Sequence, residues 1–85
     1  MRRTIGMTIR AARLHRGYSQ RELALIIGTK RPYISKIENG RAMPDIESLI
    51  RIADGLNMEA WKLLRHALKQ ETQRLPSADI ACATP

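Results

Sequence analysis

Lys30, Arg31 and Lys36 lie close together, with Pro32, Tyr33 and Ser35 among them and no acid until Glu38. This set offers hydrogen-bond donors and one flat ring, but no nucleophile backed by a base. An Arg fork can bond guanine O6 and N7 through two parallel N–H groups, and a Lys ammonium meets the same acceptors, or a phosphate, less rigidly. The chemistry on offer is recognition of a polyanion. Catalytic groups are sparse elsewhere. His15 and His66 have no carboxylate or thiol at a telling spacing and read as surface histidines. No phosphate-cradling glycine loop or metal-ligand cluster occurs, so no enzyme activity, cofactor or metal is expected.

The charge is unevenly placed. Of 15 Lys and Arg, ten precede Ala42, whereas six of the eight acids follow it, so the first half carries the whole surplus of +7. A polyanion should dock there. The 85 residues suffice for one domain with a modest core, and 44% hydrophobic content without a single Phe favours helices built on Ile, Leu, Ala and Met. Cys82 is the one cysteine, so no internal disulfide can form and a reducing compartment is expected. No apolar run approaches the roughly 20 residues needed to cross a bilayer. A cytoplasmic protein without membrane contact follows as the expectation.

The elements that position the basic set can be read from caps and periodicity. Residues 1–4 read as a short basic arm. Apolar Ile5, Ile9 and Ala12 then predict helix one over Ile5–Arg16, stopped by Gly17. Ser19-Gln20-Arg21-Glu22 is a capping-box pattern opening helix two, Gln20–Ile27, which Gly28 ends. Helix three restarts at once near Lys30–Arg31, with Pro32 in its first turn, and runs to Asn39-Gly40. Two short helices joined by a tight Gly turn make a helix-turn-helix. At 100° per residue from Ile34, Ile37 and Glu38 fall inward, while Pro32 and Lys36 fall at about 160° and 200°, on the exposed stripe. Tyr33 and Ser35 flank that stripe. Helix four starts at Pro44 or Asp45 with an apolar stripe Ile46, Leu49, Ile50, Ala53, and helix five starts near Met58 or Glu59 and turns Trp61, Leu64 and Leu68 inward. The domain is drawn over residues 5–75, with residues 76–85 as a disordered tail.

The joint spacing Ser19-Gln20-x-Glu22-Leu23-Ala24, Gly28, and Tyr33-Ile34-Ser35-Lys36-Ile37-Glu38-Asn39-Gly40 resembles the phage-repressor (Cro/Xre) helix-turn-helix family. Ile9-Arg10 with Arg13 upstream, and Pro44, Leu49, Ile52-Ala53 and Leu56 downstream, extend the resemblance over about residues 5–64. It implies an all-α, five-helix lambda-repressor-like domain from a bacterium or phage, resting on double-stranded operator DNA in the nucleoid. By the same resemblance Lys30, Arg31, Pro32 and Lys36 face base edges, while Gln20, Tyr33, Ser35, Asn39 and Arg41 meet the backbone. Arg13 and Glu38 match an ion pair joining helix one to helix three. Lys30 and Pro32 depart from the Ser, Thr or Gln more usual at the start of helix three, which leaves open which of Lys30 and Arg31 reads a base.

Family members of this type usually bind as dimers, with recognition helices about 34 Å apart. Helix five outlasts the usual domain, and its apolar Leu63, Ala67 and Leu68, with Leu75 beyond, are assigned here to a homodimer contact. The function expected is a sequence-specific regulator of transcription, a repressor on a palindromic operator. One alternative is an antitoxin that binds a small protein partner and represses their shared operon. Another is an activator touching polymerase through Glu22, Asp45 and Glu47. Regulation by a small ligand is not expected.

Overall fold

Local signals place most helix ends in the computed structural model, which describes residues 1–74 and side chains as far as Glu71. The elements are α1 (Arg2–His15), α2 (Gln20–Ile27), α3 (Arg31–Glu38), α4 (Ile46–Gly55) and α5 (Ala60–Arg74). Among the described residues the fold is all-α with five helices, as expected. The Ser19 hydroxyl accepts from the Glu22 N–H at 3.0 Å, and the Glu22 carboxylate accepts from the Ser19 N–H at 2.9 Å, completing the capping box. The Ser19 N–H holds the Glu22 carboxyl below the usual range, and the Ser48 N–H does the same for Asp45, the N-cap of α4. Gly28 takes the left-handed conformation at φ 75°, which lets the chain reverse directly into α3.

Three expectations fail, all for reasons of long-range packing. Helix α1 begins at Arg2, so residues 1–4 form its first turn instead of a free arm. Thr4 and Ile5 are buried, and Glu71 of α5 holds this end by accepting from the Thr4 hydroxyl and from the Met1 amine, the latter at 3.1 Å. Helix α5 is rotated relative to the expected face. Leu63 and Ala67 are fully buried, whereas Trp61 and Leu68 are 55% and 51% exposed. Leu63 and Ala67 therefore belong to the core and cannot form a contact between copies. The α4 stripe shifts likewise: Leu49, Ile52 and Ala53 are buried, while Ile46 and Ile50 are exposed. The tail expected at residues 76–85, with Leu75 and Cys82, lies outside the described residues.

The core runs from Ile5 and Ile9 through Leu23, Ile34 and Ile37 to Ile52, Leu56 and Leu63, so every helix contributes. Helix α1 crosses the end of α3 at Gly6, where a Cβ would lie 2.1 Å from the Ile37 carbonyl oxygen and 3.0 Å from that of Glu38. Backbone atoms cannot yield as a flexible side chain can. Gly6→Ala should therefore destabilise by about 1–3 kcal/mol, despite the helix propensity that Ala adds. The urea midpoint measures this, and an unchanged midpoint would disprove the close crossing. At the other end of α1, Arg16 donates from Nε to the Leu56 carbonyl at 3.0 Å and from Nη2 to that of Asn57 at 3.3 Å. Helix α1 is thus tied at both ends while its middle supports α3.

Candidate nucleic-acid interface

Helix α3 is amphipathic over only eight residues, and its two faces do different work. Ile34, Ile37 and Glu38 are buried, whereas Arg31, Pro32 and Lys36 are exposed and Tyr33 and Ser35 are half-buried. Lys30 is the N-cap, extended at φ −109° and ψ 149° with no side-chain cap, and Arg31 is the first helical residue. Pro32 follows in the first turn, where a missing N–H breaks no helical bond. The helix start that the sequence left open is therefore at Arg31, and Lys30 leaves the turn beside it.

Beneath this face lies a chain of polar contacts that begins in the core. Arg13 of α1 donates to both Glu38 carboxylate oxygens, from Nε at 2.7 Å and from Nη2 at 3.1 Å, with both residues 6% exposed. The remaining guanidinium nitrogen, Nη1, donates to the Tyr18 carbonyl at 2.6 Å. Glu38 Oε1 also accepts from the Gln20 side-chain amide at 3.1 Å, and Gln20 Oε1 in turn accepts from Arg31 Nη1 at 3.4 Å. A buried charge is tolerated when it is paired and its other lone pairs are satisfied, and that holds for Glu38. The consequence at the surface is that Arg31 rests on Gln20, which rests on the ion pair. One end of the exposed cationic face is thus held by the core.

At the far end of α3, Asn39 is exposed and donates to the Ser35 hydroxyl at 3.3 Å, with Arg41 exposed just beyond. Gly40 turns at φ 76° against α1, so closely that a Cβ there would lie 3.1 Å from Arg3 Cα. This contact brings exposed Arg3 beside the Asn39–Arg41 turn. Sequence reading assigned Arg3 to a separate arm, since no local signal joins residues so far apart along the chain. It also passed over Arg21, which with Lys30 and Arg31 lines a cleft of about 380 Å³ between α2 and α3. Position two of the capping box could have drawn attention to it, as an exposed cation one residue from Gln20. The structure thus brings Gln20, Lys30, Arg31 and Pro32 together with Arg21 at one end, and Asn39 and Arg41 together with Arg3 at the other, with Lys36 in the last turn of α3. Leu63 and Ala67 lie elsewhere, in the core.

Among the described residues, no group of three or more His, Cys, Asp or Glu could hold a metal ion, and no helix is long and apolar enough to cross a membrane. Comparison with known proteins agrees with the geometry. The family model described as Helix-turn-helix (HTH_3) matches residues 9–60. The ImmF control region 10 kDa protein of Bacillus phage phi105 is 38% identical over 55 residues, which are 65% of this chain. The match spans 61% of that curated relative, less than two thirds of its length. The clp gene regulator ClgR from Corynebacterium glutamicum superposes with a TM-score of 0.82 at 26% identity, covering 96% of this chain and 87% of that one. The restriction-modification controller protein C.Esp1396I, solved as a tetramer with its natural 35 base-pair operator, gives a TM-score of 0.71 at 30% identity, covering 79% and 88%.

Proposed function

Because the chain belongs to the helix-turn-helix family of Cro/C1 type, we propose that it is a repressor of transcription that binds a palindromic operator as a homodimer. The observation that carries this reading is the contact chain Arg13, Glu38, Gln20, Arg31, which anchors a cationic helix face to the core. Preorganised donors recognise base edges with less loss of side-chain freedom than mobile ones. Arg31 and Lys36 read bases, with Lys30 and Pro32 shaping the entry of α3 into the major groove. Gln20, Tyr33, Ser35, Asn39 and Arg41 hold the phosphates that flank it, and Arg3 and Arg21 extend the same grip. The operator-bound tetramer of C.Esp1396I shows that a similar chain can act as an assembly of copies on DNA.

The copies meet through the exposed stripe of α5. Trp61, Leu64 and Leu68 recur at spacings of three and four on one side of the helix, and Trp61 and Leu68 are half exposed. This stripe replaces Leu63 and Ala67 as the dimer contact. Its partial exposure in a single copy is what a partner surface would remove from water.

Selection of bound sequences from random duplex DNA tests the proposal as a whole. It should return inverted half-sites about one helical turn apart; a single unpaired half-site would overturn the dimer. Arg31→Ala or Lys36→Ala should weaken operator binding by about 1–3 kcal/mol and relax preference at one base position each. Gln20→Ala should weaken binding to all sequences alike and, by freeing Arg31, also blur the position that Arg31 reads. Wild-type affinity in both Arg31→Ala and Lys36→Ala, by gel shift at fixed salt, would remove α3 from the role assigned to it.

A further inference from the structure

Between α1 and α5, on a face made by neither α2 nor α3, lies a groove of about 530 Å³. Its lining is mostly apolar, from Met7, Ala11 and Ala12 of α1 with Leu56 and Met58 before α5, and Thr8 and Gln70 add uncharged polar groups. Its one formally charged lining group is the cation Arg16, the C-cap of α1; the basic imidazoles of His15 on α1 and His66 on α5 also line it, and no Asp or Glu does. On α5 the same sign continues, since His66 also lines a neighbouring cleft with Lys62, Arg65 and Lys69. Met7 is 51% exposed although it sits on the first helix of the core. A volume of this size is typical of small-molecule sites, and flexible Met side chains adapt to varied apolar shapes.

We propose that this groove binds a small amphiphilic anion, with an apolar chain or ring between Met7, Ala11 and Met58 and its head group against the Arg16 guanidinium and the N–H donors of His15 and His66. Charge complementarity selects the head, because every ionisable group on the lining is basic. A second copy is the less fitting occupant. By the 100° count, His66 and Gln70 of the groove lie about 160° around α5 from the Trp61, Leu64 and Leu68 stripe, so a dimer formed through that stripe leaves the groove open. The ligand would lie along α1, the helix that supplies Arg13 to the recognition helix.

Sodium decanoate, below its micelle-forming concentration, is a suitable probe, with decanol as the uncharged control. Titration of the full isotope-labelled chain should shift the amide NMR signals of Met7, Ala11, His15, Met58 and His66, and decanol should bind about tenfold more weakly. Ala11→Trp, which fills the groove, and Met7→Glu, which adds a repelling charge at an exposed position, should each abolish the decanoate shifts while leaving the melting curve cooperative. The double variant His15→Gln with His66→Gln should narrow the difference between decanoate and decanol, and adding Arg16→Gln should remove it. The proposal is overturned if decanoate shifts none of these signals, or if decanol binds as well as decanoate to the wild-type chain. Contacts from a second copy, or from residues 75–85, to Met7 in the ligand-free protein would give the groove a different occupant and likewise overturn it.

Discussion

Glu38→Ala should lower the unfolding free energy by about 3–5 kcal/mol, because it strands the Arg13 guanidinium in the core without its carboxylate. The loss is large for a chain of this size, whose total stability is expected to be about 4–13 kcal/mol. Arg13 and Glu38 are each 6% exposed and meet through two hydrogen bonds, so water cannot replace the missing partner without opening the contact between α1 and α3. Replacing both at once, as Arg13→Met with Glu38→Leu, should recover much of the stability. Full recovery is not expected, since the Tyr18 carbonyl and the Gln20 amide lose partners as well. Urea unfolding of Arg13→Met, Glu38→Leu and the double variant forms a cycle, and additive losses would show that the pair does not act as a unit. A second reading comes from DNA binding at low temperature, where the variant remains folded. If Glu38 holds Gln20 and Gln20 holds Arg31, discrimination at the base read by Arg31 should weaken even in the folded variant.

Leu63→Ala should destabilise the isolated fold by about 2–5 kcal/mol, whereas Trp61→Ala should change it little. The contrast runs against residue size, since Trp is the larger side chain. It follows from position: Leu63 is fully buried where α5 meets α1 and α4, while Trp61 is 55% exposed, its indole N–H donating to Glu59 and the Lys62 ammonium 5.7 Å from its ring centre. Trp61→Ala should instead act on association, lowering the sedimentation-derived dimer affinity and the apparent operator affinity together. Equal destabilisation by the two substitutions at protein concentrations that keep the chain monomeric would contradict the rotation of α5 described above.

Much of the fold could be read locally. The capping box at Ser19 and Glu22, the left-handed turn at Gly28 and Pro32 in the first turn of α3 involve residues within a few positions of one another, so their chemistry is written in short spacings. The inward direction of Ile34, Ile37 and Glu38 followed from helical periodicity, because α3 carries only one apolar stripe. Helix α5 carries two. Leu63 with Ala67, and Trp61 with Leu64 and Leu68, are both plausible inner faces, and periodicity ranks neither above the other.

That choice, and the start of α1 at Arg2, belong to the tertiary structure. Glu71 holds the Met1 amine and Thr4 from the opposite end of the chain, and Gly6 is needed only because the last carbonyls of α3 pass across it. The basic charge of residues 1–41 and the helix-turn-helix spacing pointed to a polyanion and to α3. Which cations share a surface with α3 required the packing: the backbone approach of Gly40 to Arg3 and the cleft that includes Arg21 join residues with no common local pattern. Short-range hydrogen bonding and periodicity determine where helices begin and which way a single stripe faces. Where a helix has two stripes, or a chain end has a distant partner, the burial of one side chain against another element decides, and that contact exists only once the chain has folded.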